Sequence, residues 1–198
     1  MPVCARDTGA YLGFLAVLGV FLLGKRYERK MAPDRLIMAF AALGVGLYLF
    51  DASSSYLGFR TTTNELRLLC GLAFGSGIAL MILSALSITL FKGSKDRRVF
   101  SYPDIAVLVP LLALASFPFL VDLGIAAYYI MATIATAGYL VMVFFIIALL
   151  LSVLRSWNLA DRGIKARLLG ASLALELLFV VSLWIIKYFI WPSVELPG

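Results

Sequence analysis

The sequence contains no histidine among its 198 residues. Histidine is the usual general base near neutral pH and the commonest metal ligand, so its absence removes the simplest routes to proton relay and to a metal centre. Only two cysteines are present, Cys4 and Cys70, too few for a disulfide framework or a structural zinc site. We therefore expect no metal and no cofactor, identify no catalytic residue, and interpret each cysteine as a small buried apolar residue.

Charged residues are also scarce. They make up 14% of the chain against 63% for hydrophobic residues, and the mean hydropathy is +1.00. A soluble domain of this length cannot bury so much apolar surface, so the composition predicts a multi-pass protein of the cell membrane. The excess of basic residues, 17 against 11 acidic ones, falls in short loops, where such residues orient helices. We expect membrane lipids as partners and no nucleic acid.

Six apolar runs are long enough to be read as membrane spans. A hydrocarbon core about 30 Å thick needs about 20 helical residues, and lipid offers no hydrogen-bond partner to an open backbone. The sequence therefore predicts an all-α transmembrane bundle in a single domain, residues 1–198, with spans at Thr8–Gly24, Leu36–Tyr56, Leu66–Phe91, Ile105–Asp122, Gly124–Leu154 and Leu168–Ile190.

The basic residues alternate between the predicted loops. Thirteen of the 17 follow spans one, three and five, and the other four are Arg6, Arg60, Arg67 and Lys187. Since positive loops stay in the cytoplasm, both termini are predicted to be extracytoplasmic. An oligomer or a partner subunit is compatible with this arrangement.

Several polar residues cluster at the predicted external end. Asp51 lies about 7 Å inside span two, and a carboxylate at that depth needs a partner. Arg6, Arg60 or Arg67 could pair with it from a neighbouring helix, and two guanidinium groups could also bind a phosphate or carboxylate. The ion pair could equally serve only to hold helices together. The candidate ligand-binding residues are Arg6, Asp7, Asp51, Arg60, Asn64 and Arg67.

Glu176 is the other unusual charge, about 12 Å from the cytoplasmic edge of span six and near the bilayer centre. An ionised carboxylate is costly there, which predicts that Glu176 is protonated, paired or facing water. Tyr129, Thr133 and Thr136 form a polar stripe on span five and are its candidate hydrogen-bond partners. A neutral structural acid and an acid that handles protons or cations both fit this intramembrane position.

Two sequence blocks carry a family resemblance. The first, CARDTGAYLG at residues 4–13, resembles the C-x-R-[CD]-T-G-x-Y-x-G signature of an uncharacterised family of prokaryotic predicted membrane proteins, a domain of unknown function. The second runs from Asp51 to Gly75 and resembles that family's D-x(6)-G-x-R-x(3)-N-x(2)-R-x(3)-G-x(3)-G pattern. The resemblance covers about the first 75 residues and implies membership without implying an activity.

The chain also departs from the family pattern. Relatives often have a Cys–His pair upstream and a second cysteine where Asp7 stands here, a grouping that suggests metal or redox chemistry. With Asp7 and no histidine, this chemistry is not expected here. Ala52 and Ser55 stand where relatives tend to have glycine and glutamine.

Three functions are compatible with these patterns. The first is binding or translocation of an anionic small molecule or lipid headgroup in the external polar pocket. The second is an accessory or structural subunit, in which Gly9, Gly13, Gly71 and Gly75 allow close helix packing. The third is an intramembrane enzyme acting on a lipid phosphate, with Asp51 or Asp7 as base. The missing histidine and the lack of a strong nucleophile count against the enzyme, and we favour the first function.

Overall fold

α-Helices make up most of the computed structural model, which describes residues 4–91, 95–120, 124–154 and 162–185. In these ranges the helices are α1 (Ala5–Leu23), α2 (Arg35–Tyr56), α3 (Asn64–Leu86), α4 (Tyr102–Leu120), α5 (Gly124–Leu154) and α6 (Arg162–Ile185). A π-helical turn, Ser87–Phe91, extends α3. The all-α prediction is confirmed at this level.

Five helical segments in the described part of the chain are long and apolar enough to cross a membrane: Ala5–Leu23, Arg35–Tyr56, Asn64–Phe91, Tyr129–Leu154 and Ala166–Leu183. The apolar helix Tyr102–Phe117, where span four is predicted, is shorter than these five segments. The predicted ends of spans four and six, Asp122 and Ile190, lie outside the described residues. The protein is therefore a membrane protein with several apolar helices. The total of six spans and the extracytoplasmic position of both termini stay predictions.

A short parallel ribbon joins two of the basic loops. Strand β1 (Arg29–Met31) follows α1 and pairs with strand β2 (Lys95–Arg98), which follows α3. An ion pair between Lys30 and Asp96 at 3.0 Å links the strands. The sequence did not predict this ribbon, because strands so short and basic show no apolar alternation. We call this the ribbon end of the bundle, and the opposite end, where α1 and α3 begin, the motif end.

Helix α3 lies at the centre and packs against α1 almost backbone to backbone. A Cβ atom added at Gly9 or Gly13 of α1 would overlap a carbonyl oxygen of α3, and one at Gly71 or Gly75 would overlap the carbonyl oxygen of Arg6 or Ala10. Close packing at these four glycines, predicted from their spacing, is confirmed. Such contacts let van der Waals attraction hold helices together in lipid, where the hydrophobic effect does not act between them.

The apolar core lies between the α1–α3 pair and the ribbon end. Phe14, Phe21 and Leu83 are buried there, together with Val99 and Phe100 from the segment after β2. Helices α2 and α6 expose most of their described large apolar side chains, and those of α5 are mostly half-buried, which suits a surface covered by lipid. The bundle is therefore tightly packed around α3 and looser toward α6.

The glycine packing predicts a strong position dependence for one substitution. Gly75→Ala places a methyl group on the Ala10 carbonyl oxygen, and we expect a loss of about 1–3 kcal/mol in the free energy of unfolding. Gly46→Ala on α2 is the matched control, because nothing lies within 4 Å of its Cβ position. Thermal unfolding in detergent, followed by circular dichroism, measures both. Equal effects of the two changes would show that the α1–α3 contact does not set stability.

Candidate functional site

Asp51 is the centre of the polar site at the motif end, and its side chain is 1% exposed. Its Oδ2 atom accepts hydrogen bonds from Arg6 Nε at 3.1 Å and Arg6 Nη2 at 2.7 Å. Its Oδ1 atom accepts one from Arg60 Nη2 at 2.9 Å. This Arg6–Asp51–Arg60 triad ties α1 and α2 to the loop that precedes α3. Both carboxylate oxygens are thus satisfied by opposite charge.

Arg6 is held deep in the triad by its helix. It lies in the first turn of α1, where the contact between its carbonyl oxygen and Gly71 fixes the backbone against α3. The guanidinium carbon lies 5.7 Å from the centre of the Tyr48 ring, which adds a cation–π interaction. Tyr48 in turn stacks on Phe74 of α3, with ring centres 4.2 Å apart. Arg6 is therefore a buried cation, held by two hydrogen bonds to Asp51 and by the Tyr48 ring.

Arg60 and Arg67 face outward more than Arg6 does. The side chain of Arg60 is 43% exposed, and its guanidinium carbon lies 5.9 Å from the Phe50 ring centre. Arg67 is half-buried, and its Nε donates to Thr62 Oγ1 at 2.6 Å. Within the described ranges, these are the only side-chain hydrogen bonds of the two arginines. Each guanidinium keeps N–H groups for a further acceptor.

The loop between α2 and α3 positions Arg60. Gly58 has a φ of +73°, the left-handed conformation that glycine adopts without strain. Helix α3 then begins after Thr63, whose Oγ1 accepts the N-terminal hydrogen bond from the Leu66 N–H at 3.4 Å. The chain thus turns back toward Asp51 within a few residues.

The structure sorts the candidate residues into groups. Arg6, Asp51 and Arg60 meet, whereas Arg67, a possible partner of Asp51 from the sequence, binds Thr62 instead. Asn64 is exposed in the first turn of α3. Asp7 is half-buried and interacts electrostatically with Tyr11 and Tyr48. Thr62 and Phe50 are not predicted from the sequence, because neither residue type stands out in its segment.

Neither cysteine is fully buried, so the prediction of two buried apolar residues is wrong. Cys4 is exposed and Cys70 is half-buried, because Cys4 precedes α1 at the motif end and lies outside the packed core. Both are free thiols. In the described ranges, no group of three Asp, Glu or Cys residues could hold a metal ion.

Glu176 lies on a buried stripe of α6 with Leu168 and Ser172. Its Oε1 atom has no hydrogen-bond partner in the described part of the chain. The predicted threonine partners do not serve it, since Thr133 and Thr136 donate to carbonyl oxygens of α5 itself, at 2.9 Å and 2.8 Å. Threonine often bonds its own helix in this way when no stronger acceptor is near. Glu176 is thus a buried acid with an unsatisfied oxygen.

The triad predicts a large effect at Asp51. Asp51→Asn leaves Arg6 buried without a counter-charge, and we expect a loss of about 3–5 kcal/mol in the free energy of unfolding. Asp96→Asn is the matched control, because it breaks the Lys30–Asp96 pair, whose side chains are 48% and 78% exposed. Such pairs contribute little. Chemical unfolding in detergent gives both values, and a small effect at Asp51 would contradict a structural role for the triad.

Substitution of Glu176 is predicted to change stability in the opposite direction from substitution of Asp51. Glu176→Met has a similar volume and removes a polar group without a full set of partners, so we expect the unfolding temperature to stay equal or rise. Glu176→Ala is the comparison, because it also removes the acid but leaves a cavity. A marked fall in stability for Glu176→Met would reveal a partner outside the described residues.

Comparison with known proteins places the motif end in a family. Residues 1–81 match the family described as "Predicted membrane protein (DUF2085)". The chain is 32% identical over 81 residues to an uncharacterised protein of Methanothermobacter thermautotrophicus, an alignment that covers 40% of this chain and 68% of that protein. No solved structure matches. The matched segment contains the whole triad and the four glycines of the α1–α3 contact. The chain belongs to this family of predicted membrane proteins.

Proposed function

We propose that the protein binds an anionic small molecule or lipid headgroup at the motif end, through Arg60 and Arg67. The observation that supports this most is the difference in burial and hydrogen bonding between the two arginines that contact Asp51. Arg6 is buried and donates two hydrogen bonds to the carboxylate, whereas Arg60 donates one and 43% of its side chain is exposed. In this proposal Arg6 and Asp51 are positioning residues, and Arg60 and Arg67 contact the ligand.

The charges at the motif end favour an anion. Asp51 cancels Arg6 in the buried part of the site, and Asp7 lies toward the two tyrosines Tyr11 and Tyr48. Arg60 and Arg67 are thus left at the rim with unused N–H donors. The planar fork of a guanidinium matches the oxygens of a phosphate or carboxylate. Asn64, exposed in the turn between them, adds an uncharged donor.

The proposed topology puts this site outside the cell. With six spans and the positive-inside rule, the ribbon end is cytoplasmic and the motif end, with both termini, is extracytoplasmic. The pairing of β1 with β2 supports part of this, since the basic loops after α1 and α3 lie at one end. The ligand would then come from the outer leaflet or from the extracytoplasmic solution.

A structural role for the motif is the second candidate. The four-glycine contact and the 1% exposure of Asp51 favour it, because both are features of helix assembly. The chain would then act as a scaffold or a partner subunit. The enzyme hypothesis has less support at Asp51, because both of its carboxylate oxygens already accept hydrogen bonds from arginine.

Removing the two rim arginines tests the binding proposal. For the Arg60→Ala/Arg67→Ala variant we expect loss of a bound anionic species that native mass spectrometry detects in the wild-type protein extracted with its own lipids. The reason is the loss of two charged donors. Lys30→Ala/Lys95→Ala removes the same charge at the ribbon end, where the two lysines pair with Asp96 and Glu28, and should keep the species.

The unfolding temperature of each variant must accompany these spectra. Identical bound species in a wild type and an arginine variant of equal stability would reject binding at the motif end. A variant that binds as before but unfolds more readily would favour the structural candidate instead.

A further inference from the structure

A long apolar cavity lies between α1, α4 and α5, away from the motif-end site. Its volume is about 720 Å³, within the range of about 300–1,000 Å³ for ligand pockets. The α1 side runs from Leu12 to Gly24, which is about 18 Å at the helical rise and slightly more than half of the hydrocarbon core. The cavity therefore has the depth of one membrane leaflet.

Small residues on α1 make room for this cavity. Ala16 and Gly19 line it, and nothing lies within 4 Å of the Cβ position of Gly19. Leu111 of α4 and Ile134 of α5 are among the opposite walls. The surface is almost entirely apolar over this length, which suits a hydrocarbon chain.

The ribbon end of the cavity changes to polar residues. Arg26 and Asp104 form an ion pair there, and both also line a second cavity of about 510 Å³. The charged residues around this second cavity are four arginines and two aspartates: Arg26, Arg29, Arg97, Arg98, Asp96 and Asp104. The apolar cavity and the second, arginine-rich cavity are thus adjacent, and the Arg26–Asp104 ion pair lines both of them. We call them the apolar chamber and the polar chamber.

Several of these arginine donors are unused. The Nε of Arg26 is buried without a hydrogen-bond partner in the described ranges. Arg97 is exposed and makes no ion pair or hydrogen bond within the same ranges. Burial, together with the charges of Arg26 and Arg97, lowers the pKa of Arg29. The crowding of like charge would be relieved by a bound anion.

We propose that one anionic glycerophospholipid occupies this site, with an acyl chain in the apolar cavity and its phosphate at Arg26, Arg29 and Arg97. The two chambers match the two chemical halves of such a lipid. A soluble anion would leave the apolar cavity unfilled, and a lipid without net charge would leave Arg29 and Arg97, which have no ion-pair partner in the described ranges, without a counter-charge. The site lies at the opposite end from the motif and does not depend on the function proposed there.

Filling the apolar chamber tests the proposal directly. Gly19→Leu should insert a side chain into the cavity without meeting the backbone, since its Cβ position is open. Gly46→Leu on α2 is the matched control, a glycine equally open but far from the cavity lining. The assay is native mass spectrometry of the detergent-solubilised protein titrated with phosphatidylglycerol, and in parallel with phosphatidylcholine of the same acyl chains.

We expect the first phosphatidylglycerol to bind about tenfold more tightly than phosphatidylcholine, as one or two charge-assisted hydrogen bonds would give. Gly19→Leu should weaken this binding about tenfold, and Gly46→Leu should leave it unchanged. Arg97→Gln removes an exposed, unpaired charge and keeps the fold, so it tests the polar chamber even if Gly19→Leu fails to fold. It should reduce phosphatidylglycerol binding more than phosphatidylcholine binding, because the choline cation of phosphatidylcholine already offsets the charge of its phosphate.

Three results would overturn the proposal. Equal binding of the two lipids would show an unspecific lipid shell, and unchanged binding by a folded Gly19→Leu would show that no acyl chain enters the cavity. Displacement of phosphatidylglycerol by millimolar inorganic phosphate would show a site for the free anion. The Arg60→Ala/Arg67→Ala variant should bind this lipid normally, which separates the site from the one at the motif end.

Discussion

The buried carboxylate of Asp51 constrains the relative positions of α1, α2 and the loop before α3. A charge in this environment is stable only when its partners are held at hydrogen-bonding distance. Arg6 reaches it from α1 and Arg60 reaches it from the loop before α3. The relative positions of the three segments are therefore coupled, and a shift of any one of them would leave a buried charge unpaired.

The glycine contact makes this geometry possible. Arg6 can reach Asp51 only because α1 lies so close to α3 that the Arg6 carbonyl oxygen touches Gly71. A larger residue at Gly71 or Gly75 would push α1 outward and take the guanidinium with it. Packing and electrostatics are thus not separate contributions at this end of the bundle. The residues that carry the family resemblance are the same ones that meet in the structure.

Local patterns in the sequence were enough to predict the helices and the faces on which they pack closely. Apolar runs predicted the helical segments, and glycines spaced by four predicted close packing against another helix, because both signals depend on the helix alone. They did not show that α1 and α3 are each other's partner. The need of Asp51 for an arginine was also predictable from its depth. Which arginines pair with Asp51 could not be predicted. That depends on the turn at Gly58, which positions Arg60, and on Thr62, which accepts a hydrogen bond from Arg67 instead.

Features that depend on distant pairing were harder to predict. The ribbon forms between segments about 65 residues apart that share only their basic character. Glu176 was expected to find a hydroxyl on α5, but Thr133 and Thr136 are used by the α5 backbone. The second difference arises because a stripe on one helix does not show how its groups are divided between local and distant partners.

Helix α1 shows how one short sequence can serve two purposes. Gly9 and Gly13 are one turn apart and face α3, where they remove side chains so that two backbones can meet. Gly19 lies six residues after Gly13, which at 3.6 residues per turn places it on a different face. There the missing side chain is not replaced by a neighbouring helix, and the space becomes part of the apolar cavity. Glycine thus allows close helix packing on one face of α1 and leaves space for the proposed lipid chain on another.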